Sequence, residues 1–184
     1  LLNKYHLYKW NVISEVTQAS EKPHTEPLPS KILTPLVSYQ SDCQKTATQI
    51  IRQRRSAQNF NPKATLAKAD FYQLLIATLP DKLPFDVWKF DSKIHLFIFV
   101  HRVDGLEPGL YALPRNPEKI AALQAATLES FEWQAIAEPL PLYKLLTANC
   151  RNAAKTLSCH QAIASDSAFS LAMVGEFSET VEMA

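Results

Sequence analysis

Ile94-His95-Leu96-Phe97-Ile98-Phe99-Val100, followed by Gly109-Leu110-Tyr111-Ala112-Leu113, is the stretch whose reading decides the fold. The first run is short, nearly continuous and rich in Ile, Phe and Val. Such a run predicts a central strand buried on both faces, since a half-exposed strand would alternate apolar with polar residues. Asp104-Gly105 and Pro108-Gly109 between the two runs are turn signals. The pair therefore predicts a hairpin with a loop longer than two residues.

Upstream, Phe71, Leu74, Leu75 and Thr78 have helical spacing, with Thr65 as the expected N-cap and Pro80 as the stop. Residues 80–92 read as a loop with Trp88 and Phe90 as aromatic anchors. Before that, Ala47, Ile50 and Ile51 predict another helix face, and Thr46 with Gln49 has the spacing of a capping box. Residues 1–41 carry Pro23, Pro27, Pro29 and Pro35 and read as an extended arm or linker, with a short element near residues 5–16. Residues 42–184 form the expected domain. Downstream, Asn116-Pro117-Glu118 is a helix start. Residues 129–141 read as a polar and aromatic stretch. Leu142, Leu145, Leu146, Cys150, Ala153, Ala154 and Leu157 keep helical spacing over four turns and predict one long helix or two in series. Residues 169–177 predict a last strand. Helices mixed with a hairpin give an α/β or α+β class.

The 184 residues are 47% hydrophobic and 20% charged, as in an ordinary domain with a sizeable core. With 19 basic and 18 acidic side chains the net charge is +1, which argues against binding nucleic acid or an anionic membrane by bulk charge. No apolar run is long enough to span a bilayer, and the N-terminus has no signal-peptide pattern. Cys43, Cys150 and Cys159 have no CxxC spacing, so neither a disulfide framework nor a zinc site is expected; a reducing, cytoplasmic setting is. Three glycines leave no GxGxxG or P-loop phosphate cradle. The chain opens Leu1-Leu2 without an initiator Met and reads as a piece of a longer polypeptide.

The segment with most chemistry is Arg52-Gln53-Arg54-Arg55-Ser56-Ala57-Gln58-Asn59-Phe60, where an amphipathic helix runs into paired arginines and a serine. Arginine offers a planar, bidentate donor suited to phosphate. The same pattern also describes a solvated helix end, because cations favour helix C-termini. On spacing alone both readings stand.

Arg54-Arg55-Ser56-x-x-x-Phe60 resembles the RRSxRxF signature of the FMN-dependent nitroreductase superfamily. His101-Arg102-Val103-Asp104-Gly105-Leu106-Glu107-Pro108-Gly109-Leu110-Tyr111 is similar to the V-x-G-L-x-P-G-x-Y hairpin of its SagB-type, azoline-oxidase-like branch. Leu157-Ser158-Cys159-His160-Gln161, before the run at 169–177, resembles the family's helix-then-strand. The three matches follow family order over roughly residues 45–178. The resemblance implies an α+β nitroreductase-like fold, a central mostly antiparallel sheet flanked by helices. It implies FMN as cofactor, hydride transfer through flavin N5, and a small-molecule substrate with NAD(P)H as a candidate electron donor. Arg54 and Arg55 would hold the FMN phosphate and ribityl region, and Ser56 would hydrogen-bond there. Gln58 stands where the family has a base; it can donate to a flavin carbonyl but brings no charge to stabilise the reduced ring.

In the family the domain continues with a long interface helix, a glycine-bearing segment and an exchanged strand, and the flavin lies between two subunits or fused halves. A chain ending at Ala184 is therefore expected to be incomplete at its C-terminal end and to work as a homodimer or tandem half. The alternative is a non-catalytic nitroreductase-like module. Nucleic-acid binding through Arg52, Arg54 and Arg55 is disfavoured by the neutral net charge. No catalytic residue stands out. His160 reads as a helix-end cap rather than an acid or base, and Cys159, one residue away on a helix, does not face it. His95 and His101 flank the buried strand and read as structural, and Tyr143-Lys144 as packing.

Overall fold

The structure, a computed structural model, describes residues 10, 12–24, 43–81, 85, 90–137 and 140–177. Ile94–Val100 (β1) and Gly109–Leu113 (β2) pair antiparallel, from Leu96↔Leu113 to Val100↔Gly109. Phe169–Gly175 (β5) pairs antiparallel along the other side of β1 at all seven rungs, Ile94↔Gly175 to Val100↔Phe169. Leu142–Thr147 (β4) lies beside β2, and Gln134–Ala137 (β3) beside β4. The result is a five-stranded antiparallel sheet in the order β3-β4-β2-β1-β5. With its helices the domain is α+β.

Alternate residues of β1 feed two cores. Leu96, Ile98 and Val100 join Tyr111, Leu113 and Leu142 on one face, covered by Phe71, Leu75 and Ile76 of helix α3 (Lys68–Ile76) and by Leu79. Phe71 meets Phe169 edge-on at 5.0 Å. Phe99 points to the other face, where Cys150 and Ala154, beside and within α5 (Arg151–Leu157), and Ala164 of α6 (Ala162–Asp166) close over it. Burial on both faces is why this strand needs no polar alternation.

Three expectations are corrected. Residues 142–157 are not one helical stretch: the first six residues form β4, and only Arg151–Leu157 is helix. The register between β2 and β4 slips between Leu110↔Leu146 and Tyr111↔Lys144, leaving Leu145 as an extra, fully buried residue. A bulge thus places Leu142 and Leu145 inside at a spacing of three, which mimics a helix. Residues 134–137, read as part of a polar and aromatic stretch, form the edge strand β3; four residues, Gln-Ala-Ile-Ala, carry too little alternation to announce a strand.

The third correction concerns the first helices. Helix α2 (Ala47–Gln53) has the full Thr46/Gln49 capping box, with Oγ1 accepting from Gln49 N at 3.2 Å and Oε1 accepting from Thr46 N at 2.8 Å. Its apolar face is not buried: Ile50 and Ile51 are 43% and 72% exposed. Helix α3 is capped at Ala67 rather than Thr65, because Leu66 is held extended in a parallel bridge with Val103. Leu74 is exposed, and Ile76 takes its place inside.

Within the arm, Val12–Ala19 is helix α1, exposed throughout; residues 1–9, 11 and 25–42 lie outside the described residues, as does Trp88. The expected start at Asn116 holds: its Oδ1 accepts from Glu118 N at 3.0 Å, a short 3-10 turn Pro117–Lys119 follows, and helix α4 (Ile120–Ala125) continues it.

Gly109 opens β2 opposite Thr147, on the near side of the bulge, and a Cβ there would sit 2.2 Å from the Leu146 carbonyl oxygen. Gly109→Ala is therefore expected to destabilise the domain by about 1–3 kcal/mol, since backbone rather than a side-chain tip must move. Urea unfolding of the variant against wild type measures it.

Candidate functional site

The residues singled out on sequence gather on one exposed segment. Helix α2 ends at Gln53, and Arg54 is its C-cap, with its backbone N–H donating to Ile50 O at 2.9 Å. Residues 51–65 are exposed throughout, Phe60 at 46%. The Arg55 guanidinium turns back and donates through Nη1 to Arg52 O at 3.0 Å and Arg54 O at 2.8 Å. It thereby caps carbonyls left open at the helix end. The side chains of Arg54, Ser56 and Gln58 make no hydrogen bond or ion pair among the described residues. Three sets of donors thus face outward along five residues of chain, one of them a permanent cation.

The other candidates fall elsewhere. His160 and Cys159 are exposed beyond α5 with left-handed backbones, φ 60° and 54°. The His160 side chain caps no carbonyl among the described residues; the turn is closed by Gln161 N donating to Ser158 O at 3.1 Å. Tyr143 packs against Trp133 with ring centroids 5.7 Å apart. Lys144, beside it on β4, donates to Glu107 Oε2 at 2.6 Å, and Thr147 Oγ1 donates to the same oxygen at 3.2 Å. This contact holds the Lys144 amine charged and the Glu107 carboxyl below the usual range.

Both strand histidines are buried and bound to backbone, as read. His95 Nδ1 accepts from Arg115 N at 3.1 Å, so Nε2 carries the proton and faces Glu176 Oε1 at 3.5 Å. Lys119 Nζ holds the other Glu176 oxygen at 2.9 Å. His101 Nε2 lies 3.0 Å from Ala164 O; a carbonyl only accepts, so this nitrogen carries the proton. With their tautomers set by structural bonds, neither histidine is poised as an acid or base.

Sequence reasoning missed the arginines that stitch the fold. Arg115 donates to Thr78 O at 2.8 Å and lies over the Phe85 ring at 5.2 Å. Arg102 donates to Ala64 O, Asn61 O and Asp166 O. All of these bonds run to backbone carbonyls, which any residue supplies, so no side-chain pattern in the sequence marks them. Among the described residues no three His, Cys, Asp or Glu side chains gather as a metal site would. No described helix is long and apolar enough to cross a membrane. Compared with known proteins, the chain matches no family model and no curated sequence.

Burial is the largest influence on His95 and His101 and holds both below the ordinary value of 6.5, against the opposing pull of Glu176 and of the Ala164 carbonyl respectively. Below pH 6.5 the unfolded chain therefore takes up protons that the native state refuses. Stability is expected to be fully present above that pH and to fall as pH drops through it, by at most about 1.4 kcal/mol per pH unit for each histidine. Glu176 is driven up by burial but pulled further down by Lys119 and His95, so its share is lost only in the carboxylate range. Urea midpoints between pH 7.5 and 5.5 test this, with a shallower slope expected for His95→Gln.

Proposed function

We propose that the chain is an FMN-binding half of an oxidoreductase of the nitroreductase-like, SagB-type kind. One observation carries the reading. Arg54, Ser56 and Gln58 stand in the order of the family signature, exposed and with uncommitted side chains, on a segment that ends in an exposed Phe60. The antiparallel sheet that the resemblance implies is compatible with it.

The residues fit the group unequally. Arg54 offers a charged fork and Ser56 a hydroxyl, both suited to a phosphate or a ribityl oxygen. The Gln58 amide suits a flavin carbonyl. Arg55 fits less well, since its Nη1 is already spent on the helix end, although Nη2 and Nε remain. FMN, when bound, would supply hydride chemistry at N5 to a small-molecule substrate or from NAD(P)H. This chain's part is to neutralise the phosphate and to orient the ring. Gln58 does so without adding charge, which favours a low reduction potential. Because the segment is exposed along its whole length, it offers one wall. A second copy or a tandem half has to supply the other and exclude water.

A second reading is favoured by the same Arg55 geometry: a helix end capped by its own arginine serves a non-catalytic module equally well.

Flavin titration followed by absorbance and fluorescence decides between them. On the first reading the wild-type chain binds FMN, and Arg54→Ala and Ser56→Ala weaken binding, the arginine by about 10- to 100-fold as a charged hydrogen bond is lost. No binding by wild type at concentrations where it self-associates leaves the module reading.

A further inference from the structure

We propose that Arg102 is the positioning residue of the Arg54–Ser56–Gln58 segment, the anchor that holds this exposed loop in register with the sheet. Residues 43–65 are exposed throughout, so apolar burial does not fix their place. Among the described residues, the stretch after Gln58 is tied to the body at 61–66, and most of those ties converge on Arg102. Its Nε donates to Ala64 O at 2.8 Å, and its Nη2 to Asn61 O at 3.3 Å and Asp166 O at 2.6 Å. Its backbone carbonyl accepts from Leu66 N at 3.0 Å, and its own N–H donates to Ala168 O at 2.9 Å. One residue at the end of β1 thus binds the loop, the end of α6 and the approach to β5 together.

The chemistry requires arginine. Three carbonyls from two separate segments are reached by one rigid planar fork, which an ammonium on a flexible stem does not span. Arg151 adds a weaker tie, from Nη2 to Pro62 O at 3.4 Å. Asp166 partly offsets the charge of Arg102, while Arg151 opposes it. Only Asn59 and Phe60 separate Gln58 from the first anchored carbonyl, at Asn61. The consequence for ligand binding rests on the FMN reading; the anchoring does not.

The test uses the full chain without flavin first. In Arg102→Gln, tryptic cleavage after Arg54 and Arg55 and exchange of the Ala64 and Leu66 amides are expected to accelerate about tenfold, as charged hydrogen bonds are lost. Exchange in the 94–113 hairpin should stay within about twofold of wild type, and Arg102→Lys should recover only part of the protection. Unchanged cleavage in Arg102→Gln overturns the proposal. So does equal acceleration in the hairpin, which would mark Arg102 as a general stabiliser. Should Arg102→Gln not fold, Arg102→Lys against Arg151→Gln carries the comparison, with the larger loop effect expected for Arg102→Lys and the reverse order overturning the proposal. FMN titration follows. If wild type binds, weaker binding by the Arg102 variants is expected, and unchanged affinity overturns the positional role. If wild type does not bind, the flavin reading fails, and the cleavage and exchange data alone decide the anchor.

Discussion

The two cores of the described fold depend on the burial of β1 on both faces. All seven of its residues pair with β5 and the last five, Leu96–Val100, with β2 as well, and alternate side chains feed separate cores. That arrangement obliges α3 to cover one face and α5 with α6 the other. It also sets the position of everything tethered to its ends: His95 near the start and His101 with Arg102 just past the finish.

The periphery is held by a different physics. Away from the two cores, side chains bond to backbone carbonyls across long sequence separations: Arg115 to Thr78, Arg102 to Asn61, Ala64 and Asp166, His101 to Ala164. Such bonds fix direction where little apolar area is available, and each charged one is worth more than a neutral one. The candidate segment sits at the far end of one of these tethers, which explains how a wholly exposed loop is kept in one place. Nothing on the described body closes over Arg54, Ser56 or Gln58, and the uncommitted donors face outward.

Much of the sheet was legible. The run Ile94–Val100 and most of the apolar run at 169–177 read as strands and are strands, and the turn residues after the first run lie in the β1–β2 connection. The capping box at Thr46 and the start at Asn116 were equally plain, because local hydrogen bonding dictates both. The failures have a common cause. Leu142 and Leu145 looked helical because a bulge, a property of the pair β2–β4, changed the spacing of inward residues. Ile50 and Ile51 form the expected helix face yet stay exposed, because periodicity reports amphipathicity and not whether anything covers it.

By itself the sequence determined the central hairpin, the two-sided burial of its first strand and the local helix caps, since composition and turn chemistry act over a few residues. It also placed Arg54, Arg55, Ser56 and Gln58 together by adjacency alone. Only the tertiary structure decided which of them are spent: Arg55 on its own helix end, the other three on nothing among the described residues. It likewise decided that both histidines are locked and that Arg102 is the anchor. The physical reason is the same in each case: the partner is a backbone carbonyl or amide, and the chain writes no identity for those.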